Sequence, residues 1–286
     1  MMNKEYVVFR KERDVSAIIS DTYVFLKLEG KSFFGTILRT AMVPILIAIA
    51  GLFFCLNAFP TALDGLEVNM LQEEGVYQEV NFGIAFISFL AVAIFFMIVY
   101  IVINITVLYY IESYIQNKGT IDYAMIQERL KDKFWSFAGV FVLMGLIIVC
   151  SVFLCFFPVI YTSVVLALAT PILVFRKLDV SDTIEFAFKF MNGHWWETFG
   201  IMLLIGLITT VISYLCAMPA LIYRLNTAAS HSTGEVSMIA AVFTDPLYVL
   251  LNGFSYIVQF LLYGITLVSN VFLYFDIDEQ KQTKLR

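Results

Sequence analysis

The sequence predicts an all-α membrane protein: six transmembrane helices forming three parallel-repeat hairpins, each preceded by a cytoplasmic amphipathic interfacial helix. Three observations carry this. First, 60% of the 286 residues are hydrophobic and 14% charged, with a mean hydropathy of +0.86, more apolar surface than a soluble core can hide. Second, six apolar stretches, near 33–57, 82–111, 134–157, 159–176, 195–218 and 246–275, are each long enough to cross a bilayer. A hydrocarbon layer of roughly 30 Å needs about 20 helical residues. Backbone amides in lipid must be satisfied within their own segment, and no alternating strand pattern appears, so the stretches are helices. Third, one motif recurs three times.

The recurring unit is a short amphipathic stretch, a glycine and a long apolar run. Its glycines are Gly35, Gly139 and Gly200, reached through Ser32-Phe33-Phe34, Ser136-Phe137-Ala138 and Glu197-Thr198-Phe199. Asp14-Val15-Ser16 and Asp179-Val180-Ser181 place an Asp 21 positions before the first and third glycines. Cys-x-x-Pro, at Cys155 to Pro158 and Cys216 to Pro219, places a proline 19 positions after the second and third. One membrane domain, 1–286, then comprises units 14–111, 118–176 and 179–275 and a cytoplasmic tail, 276–286. Copies that all start on one side are parallel repeats about an axis along the membrane normal.

Each amphipathic stretch reads as a helix on the inner leaflet. In the first, Val15, Ile18, Ile19, Thr22 and Leu26 share a face. The second, 121–134, ends in charge. The third is cleanest: Val180, Ile184, Ala187, Phe188 and Met191 oppose Asp182, Glu185, Lys189 and Asn192, with Asp179 or Ser181 placed to cap it. Phe33 and Phe34, Phe134 and Trp135, and Trp195 and Trp196 stand where each chain should turn into the bilayer, and such rings favour the interface.

With a cytoplasmic amino terminus, all of the 18 basic residues except Arg224 fall on inner segments, so both termini are expected in the cytoplasm. No cleavable signal is visible, and the first helix reads as its own insertion signal. The outer loop 61–81 carries Asp64, Glu67, Glu73, Glu74 and Glu79 without a base, which argues against nucleic acid. Cys55, Cys150, Cys155 and Cys216 lie in apolar runs without metal-type spacing and read as buried hydrophobes; an outer disulfide between Cys155 and Cys216 is the alternative.

The segment from Phe175 through Asp179-Val180-Ser181-Asp182, Phe186-Ala187-Phe188-Lys189-Phe190 and Gly193-His194-Trp195-Trp196 into Phe199-Gly200, with the ending Leu273-Tyr274-Phe275-Asp276, resembles a family of bacterial six-helix membrane proteins. These are similar to the membrane region fused to some glycerophosphodiester phosphodiesterases. The resemblance implies a multi-pass protein of the bacterial cytoplasmic (inner) membrane. It implies no functional residue, because the catalytic barrel is absent.

No reactive constellation is expected. His194 and His231 should lie about a bilayer apart, which disfavours a histidine metal site or a Ser-His-Asp arrangement. No catalytic residue, metal or cofactor is anticipated, and the chain reads as a non-enzyme. The middle of every span lacks Asp and Glu, the usual mark of proton coupling. Arg39 either snorkels to the headgroups or pairs with Glu112 across the first hairpin.

The most specific polar signal is a stripe on the last helix: Asn252, Ser255, Gln259, Tyr263, Thr266 and Asn270, at helical spacing. It reads either as an interhelical hydrogen-bond network, with Asn104 and Thr106, Thr170, or Thr209, Thr210 and Ser213 as partners, or as a hydrated pathway. Asp276, Asp278 and Glu279 read as a solvated tail. Two functions follow: a scaffold or docking component whose partners are membrane lipid and a protein at the cytoplasmic face, or a conduit for a lipid or other amphiphile along the stripe. A homo-oligomer is compatible with either. A lipid-acting enzyme is the third and weakest reading.

Overall fold

The structure is a computed structural model that describes residues 6–71, 82–154, 156–230 and 245–285. Glu73, Glu74, Glu79, Cys155 and His231 therefore lie outside the described residues. Among the described residues every regular element is a helix: α1 (Val15–Leu71), α2 (Phe82–Gln116), α3 (Tyr123–Leu154), α4 (Phe156–Ala167), α5 (Ala169–Arg176), α6 (Val180–Met191), α7 (Trp195–Ser230) and α8 (Pro246–Leu285).

Six helical runs are long and apolar enough to cross a membrane: Val15–Cys55, Phe86–Gln116, Tyr123–Leu154, Pro158–Arg176, Trp195–Thr227 and Pro246–Lys284. They correspond one for one to the six apolar stretches. Phe54, Phe89, Phe153, Leu154 and Tyr214 are each more than 70% exposed on these helices. Water does not tolerate so much bare hydrocarbon on a monomer, whereas lipid is a good solvent for it.

Of the three amphipathic stretches, only the third is a helix of its own. The chain enters α6 past Lys177 (φ 54°) and leaves it at Gly193 (φ 83°). Glycine bears that left-handed conformation without penalty. Gly35 and Gly139 sit instead inside unbroken helix, so α1 and α3 run straight through their aromatic pairs. The apolar face of α6 is not turned to lipid: Ile184, Ala187 and Met191 are buried, and the helix packs on α3, α4 and α5. Its polar residues Asp182, Glu185, Lys189 and Asn192 are exposed.

The repeated Asp-Val-Ser also diverges in use. Asp14 caps α1, accepting from the Ala17 amide at 2.9 Å and the Ser16 hydroxyl at 3.1 Å, and these bonds hold its carboxyl below the usual range. Asp179 is the N-cap residue of α6 by position, yet its side chain makes no capping bond.

The helices contribute to two compact units. One holds the described parts of Met1–Ala41, Tyr100–Thr210 and Leu261–Arg286; the other holds Met42–Val99 and Val211–Phe260. The first has an aromatic core of Phe9, Phe25, Phe33, Tyr110, Tyr114 and Phe272, in which Phe9 stacks on Phe272 at 4.3 Å. Gly264 permits close packing there, since a Cβ would stand 2.9 Å from Ile37 Cδ1. In the second unit Phe96 meets Tyr256 and Phe260, and Asp245 caps α8 through the Leu247 amide at 2.8 Å.

Candidate functional site

The polar stripe on α8 is mostly consumed by protein partners. Tyr263 Oη accepts from Asn104 Nδ2 at 2.9 Å, the same amide donates to the Tyr100 carbonyl at 2.8 Å, and Thr40 bonds Thr106 at 2.9 Å nearby. Asn270 Nδ2 donates to the Ala167 carbonyl at 3.3 Å. Ser255 Oγ donates to the Leu251 and Cys216 carbonyls, and Asn252 Nδ2 to Tyr248 Oη at 3.1 Å. Thr266 is half-buried and Gln259 is exposed.

Asn270's bond lands beside a proline, for a physical reason. Pro171 has no N–H, so the Ala167 carbonyl four residues earlier loses its helical donor, and Asn270 supplies the replacement. Cys216, whose carbonyl takes Ser255, lies three residues before Pro219, inside α7. Sequence reasoning named side chains as partners for this stripe; Asn104 is one, and these two carbonyls are not. For Ala167 the signal was present, because a proline in a spanning helix marks a freed carbonyl four positions back.

Arg39 and Glu112 are not brought together. Arg39 is two positions from buried Ile37 and Ala41, hence on the opposite side of α1, and is exposed. Glu112 Oε1 accepts from Gln116 Nε2 at 3.2 Å, while Oε2 is buried with no hydrogen-bond partner among the described residues. Glu112 also lines a cavity of about 200 Å³, together with Tyr109 of α2, Arg129, Lys133 and Ser136 of α3, and Lys177 and Asp179 ahead of α6. Arg129 and Lys133 share a face of α3 one turn apart. The Arg129 guanidinium lies 5.7 Å from the Tyr109 ring, and among the described residues none of Arg129, Lys133 or Lys177 is in an ion pair. At the floor, Val180 methyls approach Gly139 so closely that a Cβ there would stand 3.3 Å away.

The end of α8 corrects the solvated-tail expectation. Asp276 and Asp278 are 0% and 5% exposed, and the helix continues to Leu285. Burial is sustained by partners that sequence distance concealed. Asp276 Oδ1 accepts from the Arg13 amide at 2.7 Å and both its oxygens from Gln280. Asp278 pairs with Arg176, which also donates to Tyr274 Oη at 3.2 Å. The Arg13 guanidinium reaches Asp21 at 2.8 Å and the carbonyls of Val8, Phe9 and Lys11, and lies over Phe272. Lys281 Nζ donates to the Phe190 carbonyl at 2.7 Å, a cation at the carboxyl end of α6 where the helix dipole favours it. His194 is buried nearby, and desolvation lowers its pKa, with Lys284 and Lys281 adding to the effect and Asp276 opposing it.

A second cavity, of about 250 Å³, is lined by Ile160, Tyr161, Trp195 and Trp196. Trp195 stacks on Phe199 at 5.2 Å and on Tyr161 at 5.8 Å. Neither cavity includes a residue of the α8 stripe. Among the described residues no cluster of three or more His, Cys, Asp or Glu is arranged to hold a metal ion. The chain matches no family model, no curated protein and no solved structure.

Proposed function

We propose that the chain is a non-enzymatic integral membrane protein of the bacterial cytoplasmic membrane, acting as a scaffold or docking component. In this reading both termini are cytoplasmic, and three parallel hairpins descend from one repeated unit. The observation that carries the functional part is α6. Its apolar face is held by α3, α4 and α5, and Lys281 ties its last turn, so the row Asp182, Glu185, Lys189 and Asn192 is presented on a fixed support. A rigid, polar, exposed helix face suits recognition of a protein partner. The distribution of basic residues supports the orientation, and the shared Asp-Val-Ser and Cys-x-x-Pro spacings support the repeat.

The test is a photo-reactive residue at position 185 in living cells. A single reproducible protein adduct, abolished by Asp182→Lys with Lys189→Glu, is expected; no adduct, or one indifferent to the reversal, contradicts the reading. The alternative, a conduit for a lipid or other amphiphile along α8, is weaker because Asn252, Ser255, Tyr263 and Asn270 spend their polar groups on the protein.

A further inference from the structure

We propose that the cavity between α2, α3 and the start of α6 binds an aminoalkyl phosphate, a phosphate ester carrying a primary ammonium. Arg129, Lys133 and Lys177 hold the phosphate, and the ammonium donates to Glu112 Oε2. This does not depend on the scaffold reading.

The argument begins with what the cavity lacks. Three cations border it without an ion-pair partner among the described residues, against the two carboxylates of Glu112 and Asp179, so the lining carries an excess of positive charge that an anion would offset. Phosphate, with several acceptor oxygens, matches an Arg and two Lys better than a single carboxylate does. A bare anion leaves the other deficit unmet. Glu112 Oε2 is buried and without a donor, and burying a carboxylate oxygen unpaired is costly. One ligand bearing both a phosphate and an N–H cation answers both.

Size and surroundings agree. About 200 Å³ holds a small polar group rather than a drug-sized molecule, whose pockets run about 300–1,000 Å³. The lining is built on fixed parts: Lys177 is set by its left-handed backbone at the end of α5, and Val180 packs on Gly139 below. Asp179 makes no side-chain cap with the first amides of α6, and such amides add favourable potential for an anion, which the Asp179 carboxylate at the same cavity opposes. Trp135, 80% exposed between Lys133 and Ser136 on α3, is a ring type that settles at headgroup level, so a phospholipid headgroup and a soluble ester are both credible sources of this chemistry.

Native mass spectrometry of the full chain in mild detergent tests this, with phosphatidylethanolamine, phosphatidylcholine and phosphatidylglycerol as probes and soluble O-phosphoethanolamine and phosphocholine as competitors. A choline cannot donate to Glu112, so the primary-amine probe should bind roughly tenfold or more better than its trimethyl counterpart, the worth of one charge-assisted hydrogen bond. Glu112→Gln should bring that ratio towards one without weakening phosphatidylglycerol. Arg129→Gln with Lys133→Gln should weaken all three lipids. Lys177→Glu, at an exposed position that leaves the fold intact, should do the same. Displacement of the lipid by O-phosphoethanolamine assigns the site to a soluble ester; failure to displace it assigns the site to the headgroup. Equal binding of amine and trimethyl forms from both sources, a ratio unmoved by Glu112→Gln, or undiminished binding in Lys177→Glu overturns the proposal.

Discussion

The backbone amide of Arg13 donates to Oδ1 of Asp276 at 2.7 Å, joining positions 263 residues apart. Both residues are buried, and the Arg13 guanidinium satisfies the carbonyls of Val8, Phe9 and Lys11 on the same side. The segment before α1 is thereby fastened to the last turns of α8. Asp276→Ala leaves a buried amide without its acceptor, a loss of about 1–3 kcal/mol. The expected result is a lower melting midpoint and faster amide exchange over residues 7–13; unchanged exchange there would show that the bond holds nothing in place.

Pro171 and Asn270 should be energetically coupled. Asn270→Leu is expected to cost about 1 kcal/mol in the parent chain, within the range of interhelical hydrogen bonds in membranes. In a Pro171→Ala background the new N–H can take the Ala167 carbonyl, and the same change should then cost close to nothing. A double-mutant cycle on reversible unfolding reads the difference directly. Additive effects would mean that the carbonyl does not need Asn270.

Tyr263 and Gln259 separate the packed from the open part of the stripe. Tyr263→Phe removes one of the two acceptors of Asn104 Nδ2 and should destabilise by about 0.6–2 kcal/mol. Gln259→Leu, at an exposed position, should stay within about 0.5 kcal/mol of the parent. The reverse order in unfolding measurements would place the important polar group at 259.

Stability should fall on mild acidification because of His194. Burial, then the charges of Lys284 and Lys281, hold its folded pKa below the ordinary value of 6.5, against the opposing pull of Asp276; Glu197 lies 4.0 Å from Nδ1. Below that value the unfolded chain takes up a proton that the fold resists. The contribution is thus complete above about pH 6.5 and is lost as the pH drops below it. Melting midpoints from pH 8 to 5 should decline less steeply in His194→Gln than in the parent. An identical slope in both would assign the acid sensitivity to another group.

The six spans were legible because hydrophobicity is a local property, and a window of some 20 residues contains all the information needed. The stripe was legible for the same reason, since helical spacing alone puts Asn252 to Asn270 on one face. Partnership was not. Asp276 and Asp278 look like a solvated tail until Arg13 and Arg176 are known to reach them, from 263 and 102 positions away. Periodicity gave the two faces of α6 correctly but not what covers the apolar one, since protein and lipid select the same side chains. The elbows expected at Gly35 and Gly139 are absent because an apolar aromatic pair does not break a helix, whereas Gly193 at positive φ does. Glu112 stood out as an acid near a span's end, but Lys133 and Lys177 gave no signal, because a basic residue there is also what membrane topology requires.

The central claim is that this chain crosses a membrane six times with its basic turns on one side, and substituted-cysteine labelling of intact cells tests it most directly. In a background without the native cysteines, Cys introduced at the exposed positions 128 and 189 should react with a membrane-impermeant maleimide only after permeabilisation, while Cys at position 67 should react without it. Labelling of position 128 or 189 in sealed cells would contradict the account.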